Sequence, residues 1–214
     1  MIVLTVDQRG STYAEDRVPV VLEQLAKWTS GRAGIVLPFE RTIGDEVQGV
    51  LSGHSPGAQL AVDLTLDLLR DRGWSVGIGV GPVETPLPAV SRDARGPAFY
   101  RARDAVNRAK TRVSGKSVAV EGPTAASGER RAHEVESLLQ LLGAVRARRT
   151  PHGWEAVDVL SGLADKPGRQ KAAAQLLGVS EQAVSQRVRA AMWSEECAVL
   201  PVIVRRLEEL SGPT

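Results

Sequence analysis

The fold is decided by residues 34–51, GIVLPFERTIGDEVQGVL. Residues 34–43 and 47–51 are rich in aliphatic and β-branched side chains, and Gly44-Asp45-Glu46 separates them. A glycine and two acidic residues between two such runs are typical of a turn. We therefore expect a β-hairpin with the acidic pair at its tip.

The flanking segments extend this hairpin into a longer pattern of strands and helices. The predicted elements, in chain order, are a strand at 1–6, a helix at 18–28, the hairpin, a helix at 55–69, a strand at 74–83 and a helix at 96–112. The order βαββαβ predicts an α+β fold of the ferredoxin-like type, with the first and third strands side by side and antiparallel. In that arrangement Asp7, after the first strand, and Asp45 lie close together.

The chain is predicted to contain two domains joined by a helix. Residues 121–131 are polar and rich in turn-forming residues, which indicates a boundary. A helix with one apolar face follows, and Pro151 begins a new element. We expect a first domain at 1–124, a connecting helix at 125–150 and a second domain at 151–214.

The composition is that of a globular protein: 214 residues, 43% hydrophobic and 24% charged, with a formal net charge of +2. No part of the chain is a basic tail, so DNA binding would depend on a few well-placed donors. The first residues include neither a secretory leader nor a membrane span, and we expect a cytoplasmic protein. The single cysteine, Cys197, lies in an apolar run and is expected to be buried and unreactive.

Asp7 and Asp45 suggest metal chemistry. Two carboxylates on neighbouring strands can hold Mg²⁺, which keeps most of its waters and can in turn bind a triphosphate. The alternative is that both aspartates are ordinary turn residues, since aspartate favours loops.

The surroundings of the two aspartates resemble class III nucleotide cyclases. Residues 7–12, Asp-Gln-Arg-Gly-Ser-Thr, resemble the Asp-x-Arg-Gly-Phe-Thr run that ends the first strand in that family. Residues 41–47 resemble the family's Lys-Thr-x-Gly-Asp hairpin. Residues 76–83 and 104–109 are similar to its glycine-rich strand and its Asp-x-Val-Asn-x-Ala helix.

This resemblance implies a metal and nucleotide site shared across a homodimer. It implies Mg²⁺ as the cofactor, with Asp7 and Asp45 as its ligands. The residues that it assigns to nucleotide binding are Arg9, Gly10, Ser11, Arg41, Asp104, Asn107, Lys110 and Arg112.

The chain departs from the cyclase pattern at specific positions. Arg41 replaces the lysine that reads adenine, Tyr100 stands at the second base-reading position, and Thr111 replaces the arginine that stabilises the transition state. Loss of one such donor typically costs about 10²–10³ in rate. We expect a domain that is non-catalytic or weakly catalytic, and an active nucleotidyl cyclase or transferase is the alternative.

Residues 44–49 together with 96–105 are similar to the SatD family, whose members join a cyclase-like first part to a helix-turn-helix second part. The similarity extends over nearly the whole chain. It implies a DNA-binding second domain.

Residues 170–189, QKAAAQLLGVSEQAVSQRVR, fit a helix-turn-helix. Ala174 is small where two helices cross, Gly178 suits the turn and Ser180 can cap the second helix. The predicted DNA-contacting residues are Arg169, Lys171, Ser180, Gln182, Ser185, Gln186 and Arg189. The alternative is a two-helix hairpin inside a bundle, which an outward face rich in glutamine and free of leucine disfavours.

A final helix is predicted at residues 198–210, with Pro201 in its first turn and a role in packing or dimerisation. Together these features predict a DNA-binding transcriptional regulator with a nucleotide- or metal-sensing domain. It would act as a homodimer on double-stranded DNA, with half-sites about one helical turn apart. A scaffold in which the acidic pair is a remnant is a third possibility.

Overall fold

A computed structural model describes residues 1–11, 14–111 and 117–212. Within these residues the chain has a mixed α+β fold with one five-stranded sheet and eight α-helices. It forms two compact units: unit 1 is Met1–Leu141 with Val202–Thr214, and unit 2 is Leu142–Pro201. None of the described helices combines the length and the apolarity that crossing a bilayer requires.

All five strands belong to unit 1. They are β1 (Ile2–Gln8), β2 (Ile35–Arg41), β3 (Glu46–Leu51), β4 (Trp74–Val80) and β5 (Val118–Glu121). The sheet order is β2-β3-β1-β4-β5. Strand β1 is therefore central and antiparallel to both β3 and β4, as predicted for the first and third strands, and β5 runs parallel to β4.

The helices that accompany the sheet begin and end close to the predicted positions. They are α1 (Val18–Thr29), α2 (Gly57–Asp71), α3 (Pro97–Lys110) and α4 (Ala126–Ala147), with a short 3-10 turn at Ser91–Asp93. The predicted end of α3, at Arg112, lies outside the described residues. Strand β5 was not predicted, because four residues are too few to show a periodic pattern.

Glycines in β4 allow α3 to lie directly on the sheet. A Cβ atom added at Gly77 would come within 3.0 Å of backbone atoms of Ala102 and Val106, and one at Gly79 would do the same at Ala98 and Ala102. Real Cβ atoms essentially never approach neighbours so closely. This face of β4 is therefore a helix-packing surface, which explains why positions 77 and 79 carry no side chain.

The two edge strands are irregular or short. Strand β2 contains the exposed Pro38, and its pairing with β3 shifts register between Ile35 and Leu37 and again between Leu37 and Glu40. Strand β5, at the opposite edge, has four residues.

A buried carboxylate joins α4 to the sheet and to α3. Glu136 is 2% exposed and accepts hydrogen bonds from Arg108 Nη2 at 2.7 Å, Val120 N at 3.0 Å and Gln140 Nε2 at 3.0 Å. Its negative charge is thus matched by a guanidinium and by two further donors, as a buried carboxylate requires.

Unit 2 is built on three short helices, α5 (Pro151–Gly162), α6 (Arg169–Leu177) and α7 (Glu181–Ala190), and on the first half of α8 (Trp193–Ser211). Its core consists of aliphatic side chains from α5, α6 and α7, mostly alanine and valine. The buried members are Ala156, Leu160, Ala173, Ala174, Val184 and Val188.

Two expectations about α8 are wrong. The helix begins at Trp193, directly after Met192 at φ 52°, so Pro201 lies inside the helix and not in its first turn. Proline has no N–H, so the Cys197 carbonyl loses its helical hydrogen bond. Cys197 itself is exposed and not buried, because it lies on the outward side of the helix, whereas the adjacent Glu196 is buried. Partial burial of the sulfur and the nearby Glu196 raise the pKa of the Cys197 thiol, which lowers the fraction present as thiolate.

The compact units also differ from the predicted boundaries at residues 124 and 150. The last part of α8, from Val202 onward, belongs to unit 1, where Leu210 lies against Gly122 and Arg206 pairs with Glu134 at 3.6 Å. Residues distant in sequence thus complete unit 1, which no local pattern indicates.

The Asp71 carboxylate gives unit 1 a pH-dependent contribution to stability. Burial alone would raise the pKa of Asp71, but hydrogen bonds from Arg17 Nη2 at 2.5 Å and Trp74 Nε1 at 2.8 Å outweigh it, and the pKa is lowered. A lowered pKa means that the ionised form stabilises the fold above the unfolded value of about 4, and that this contribution is lost as pH falls through the folded value. We expect Asp71→Asn to reduce the free energy of unfolding by about 1 kcal/mol at pH 7. The difference in unfolding free energy between the variant and wild type should shrink below pH ~4. Urea unfolding across a pH series measures this difference. A difference that stays the same at every pH would contradict the role assigned to the ionised Asp71.

Candidate functional site

An acidic row crosses three strands at one end of the sheet. Asp7 on β1 is directly opposite Glu46 on β3 and Ser75 on β4. Directly opposed residues of antiparallel strands project from the same face. Ser75 shares its face with Gly77, against which α3 packs, so all three side chains lie on the α3 side.

Helix α3 supplies cations to this row. Lys110 Nζ is 2.6 Å from Asp7 Oδ2, and Arg103 Nη2 is 3.4 Å from Glu46 Oε1. The two cations are seven residues apart, about two helical turns, and therefore share one face of α3. Glu46 Oε1 also accepts a hydrogen bond from Thr42 Oγ1 at 2.8 Å.

The buried position of Asp7 disfavours the ionised form of its carboxyl. The residue is 4% exposed, and burial raises the pKa of its carboxyl. The hydrogen bond and positive charge of Lys110 oppose this rise, whereas the nearby carboxylates of Asp45 and Glu46 add to it, and the pKa remains raised. Such a perturbed carboxylate is typical of a functional site.

Asp45 is close to Asp7 but belongs to a separate cavity of about 300 Å³. The lining residues are Gln8, Ser11, Ala14, Asp16, Arg41, Gly44 and Asp45. Arg41 is held there by Asp16 Oδ2 at 2.7 Å and by the Gly44 carbonyl at 2.6 Å, and its hydrogen bond lowers the pKa of Asp16. The cavity thus brings together three of the predicted residues, Ser11, Arg41 and Asp45.

The other predicted nucleotide-binding residues are spread around this cavity and α3. Arg9 donates through its backbone N to the Gly73 carbonyl at 2.8 Å and through Nη1 to Ser117 Oγ, so its guanidinium is engaged. Gly10 adopts φ 72°, a turn conformation that favours glycine. Asp104 and Asn107 are exposed on α3, and Arg112 lies outside the described residues.

As placed, the acidic residues do not fit a Mg²⁺ ion. Asp7 is already paired with the Lys110 ammonium, and Glu46 is occupied by Arg103 and Thr42. Over the described ranges, no three histidine, cysteine, aspartate or glutamate side chains form a group that could hold a metal ion. The Mg²⁺ site at Asp7 and Asp45 stays a prediction that requires Lys110 to move away.

A second cavity, of about 360 Å³, lies between the β2–β3 hairpin and the first half of α3. Its wall includes Arg92, Arg95 and Arg103, together with Tyr100 and Ile43, which are 70% and 78% exposed. Sequence reasoning missed this cavity, because the arginines of the loop before α3 follow no recognisable motif.

The arginine-bearing loop is fixed to the sheet by one buried residue. Ser91 is fully buried, and its backbone N donates to Glu40 Oε2 at 3.1 Å while its Oγ donates to the Gln48 carbonyl at 3.0 Å. The adjacent Arg92 is therefore positioned on the cavity wall.

In unit 2, α7 presents a polar face. Ser180 caps the helix by accepting a hydrogen bond from Ala183 N at 3.2 Å, as predicted. The core-facing Val184 and Val188 are buried. The outward residues are Gln182, Gln186 and Arg189, which are exposed, and Ser185, which is half-buried.

Arg169 and Lys171, the predicted phosphate contacts, differ in their surroundings. The Arg169 guanidinium donates to the Leu160 carbonyl through Nη2 at 2.5 Å, pairs with Asp165 at 3.1 Å and lies 4.9 Å from the centre of the Trp193 ring. Arg169 therefore stabilises unit 2, whereas Lys171 is exposed and accessible to a ligand.

Comparisons with known proteins give no match to any family model, curated protein or solved structure.

Proposed function

We propose that the protein is a DNA-binding transcriptional regulator, in which α6 and α7 form a helix-turn-helix and unit 1 is a ferredoxin-like, cyclase-type domain that senses a nucleotide. The resemblance to the SatD family and to class III cyclases supports this assignment. The observation that carries it is the polar face of α7, where Gln182, Gln186 and Arg189 are exposed on the side opposite the buried Val184 and Val188.

The chemistry of this face suits the major groove of double-stranded DNA. Glutamine can pair with adenine through two hydrogen bonds, and arginine with guanine through two. Gln182, Gln186 and Arg189 follow one another at spacings of four and three residues, so they lie on one side of the helix. A surface helix in a simple bundle needs no such set of groups.

The cavity around Ser11, Arg41 and Asp45 is the proposed nucleotide site. Its volume of about 300 Å³ and its mixed arginine and carboxylate lining suit a polar ligand. Ligand binding in unit 1 would then alter the affinity of the homodimer for its operator, which is a coupling free energy between two sites.

DNA binding is tested by selection from a random double-stranded pool followed by mobility-shift assays, with and without nucleoside triphosphates and Mg²⁺. We expect enrichment of a symmetric site with half-sites about one helical turn apart. Absence of binding under every one of these conditions would refute the proposal.

Two substitutions in unit 2 should separate base reading from phosphate contact. Arg189→Ala should weaken binding to the selected site by about 1–3 kcal/mol and relax the preference at one base pair. Lys171→Ala should weaken binding to all sequences alike and reduce the slope of log K against log salt by about 1. Gln24→Ala on α1 of unit 1 is the control and should leave DNA affinity unchanged; equal losses in all three variants would contradict the assignment.

An active nucleotidyl cyclase or transferase is the second candidate, favoured by the closeness of Asp7 and Asp45. The pairing of Asp7 with Lys110 and the threonine at position 111 rank it below sensing. Incubation with each nucleoside triphosphate and Mn²⁺ tests it, and turnover abolished by Asp45→Ala would establish catalysis.

A further inference from the structure

Three oxygen-bearing side chains converge at the acidic row from three neighbouring strands. Glu46, Asp7 and Ser75 lie side by side on the face that α3 covers. Opposed Cβ atoms on antiparallel strands are about 4.5–5.5 Å apart, so neighbouring side chains in the row can reach one cation between them.

The Ser75 hydroxyl is an independent sign that this place receives a ligand. Ser75 is 1% exposed, and its Oγ has no hydrogen-bond partner among the described residues. A buried hydroxyl without a partner is unfavourable, and native structures satisfy nearly all such groups. Ser75 is directly opposite Asp7 in the pairing of β1 with β4, so its side chain shares the face of the sheet that carries the Asp7 carboxylate, and a cation bound there would offer the hydroxyl a partner.

The Lys110 ammonium already supplies a positive charge at this position. Its Nζ is 2.6 Å from Asp7 Oδ2, while the Lys110 side chain is 39% exposed and the Asp7 side chain only 6%. Lysine is a compact point charge on a flexible stem. It can therefore neutralise Asp7 from the outside, and its flexible stem lets it withdraw into solvent when another cation takes over that neutralisation.

We propose that the acidic row of Glu46, Asp7 and Ser75 is a latent divalent-cation site. The Lys110 ammonium occupies the position that the cation would take. The wild-type chain then needs no divalent metal at Asp7, and a metal binds there only by displacing the ammonium. This inference stands whether or not the protein binds DNA, since it concerns the charge balance of unit 1 alone.

The test is Mn²⁺ binding, measured by the loss of the electron paramagnetic resonance signal of free Mn²⁺ with the full-length protein. We expect Lys110→Gln to bind Mn²⁺ about tenfold more tightly than wild type or better, because one positive charge beside the ion has been removed. Lys110→Arg, which keeps the charge, should bind as weakly as wild type. The double variant Asp7→Asn/Lys110→Gln should lose the gain.

Lys27→Gln is the matched control, since Lys27 is an exposed lysine in the last turn of α1, as Lys110 is in the last turn of α3. It should leave Mn²⁺ affinity unchanged. Equal affinities of wild type and Lys110→Gln, or an equal gain in Lys27→Gln, would overturn the proposal.

A measurement on the wild-type protein keeps the proposal testable if Lys110→Gln fails to fold. Mn²⁺ at micromolar concentration should leave the amide resonances of Asp7 and Ser75 sharp. Selective broadening of these resonances would show that a metal binds with Lys110 in place and would refute the inference.

Discussion

Replacing Glu196 by alanine is expected to lower the free energy of unfolding of unit 2 by about 3–5 kcal/mol, the usual cost of removing one partner from a buried ion pair. Glu196 is 3% exposed and lies between two guanidiniums. Arg146 Nη2 donates to its Oε1 at 2.7 Å, and Arg149 Nη2 donates to its Oε2. The variant would leave the buried Arg149 guanidinium without its carboxylate.

Arg149 makes this loss especially severe. Its side chain is 1% exposed, and burial lowers the pKa of its guanidinium despite the opposing effect of Glu196. Its Nη1 already has no hydrogen-bond partner among the described residues. The Ala191 carbonyl and the Trp154 ring, 4.8 Å from the guanidinium carbon, would remain as its neighbours.

Urea unfolding followed by circular dichroism measures the effect. Glu195→Ala is the matched control, because Glu195 is the exposed neighbour of Glu196 on the same helix. Its effect should stay within about 0.5 kcal/mol. Similar losses for the two glutamates would contradict the role assigned to the buried pair.

The second large effect is expected at the glycine-rich strand. Gly79→Ala should reduce the free energy of unfolding by about 3 kcal/mol, because the new methyl group would overlap backbone atoms of Ala98 and Ala102. Backbone atoms cannot rotate away as a side chain can, so α3 as a whole must move.

Gly162→Ala in α5 is the control for glycine replacement. Nothing lies within 4 Å of the added Cβ there, and the residue is helical. We expect a gain of about 0.4–1 kcal/mol, since alanine restricts the unfolded chain. Thermal unfolding of both variants tests the pair, and an unchanged melting temperature for Gly79→Ala would show that α3 does not need the glycines.

Periodicity was sufficient to predict most of unit 1, and the pattern of residues 170–189 predicted the two helices α6 and α7 of unit 2. Regular apolar faces are buried by the strands near residues 2 and 76 and by the helices near residues 18 and 57. The local sequence pattern therefore predicts where these elements lie. The closeness of Asp7 and Asp45 followed from strand order alone.

The charge partners could not be predicted in the same way. Lys110 meets Asp7 because Gly77 and Gly79 let α3 lie close to the sheet, and this packing joins residues far apart in sequence. Glu196 stands in the polar run 194–196, which is typical of an exposed helix start. Its partners Arg146, in the last turn of α4, and Arg149, just after α4, are distant in sequence. These residues were missed because their partners are distant in sequence.

The edges of the sheet bear on how two copies of the chain would associate. Strand β2, at one edge, contains a proline and two register shifts, and β5, at the other edge, has only four residues. Neither of these strands therefore presents a long row of free backbone donors and acceptors. Such edges discourage strand addition from another chain and thereby protect against aggregation. The homodimer proposed for DNA binding is therefore expected to form through side-chain surfaces and not through a continuous intermolecular sheet.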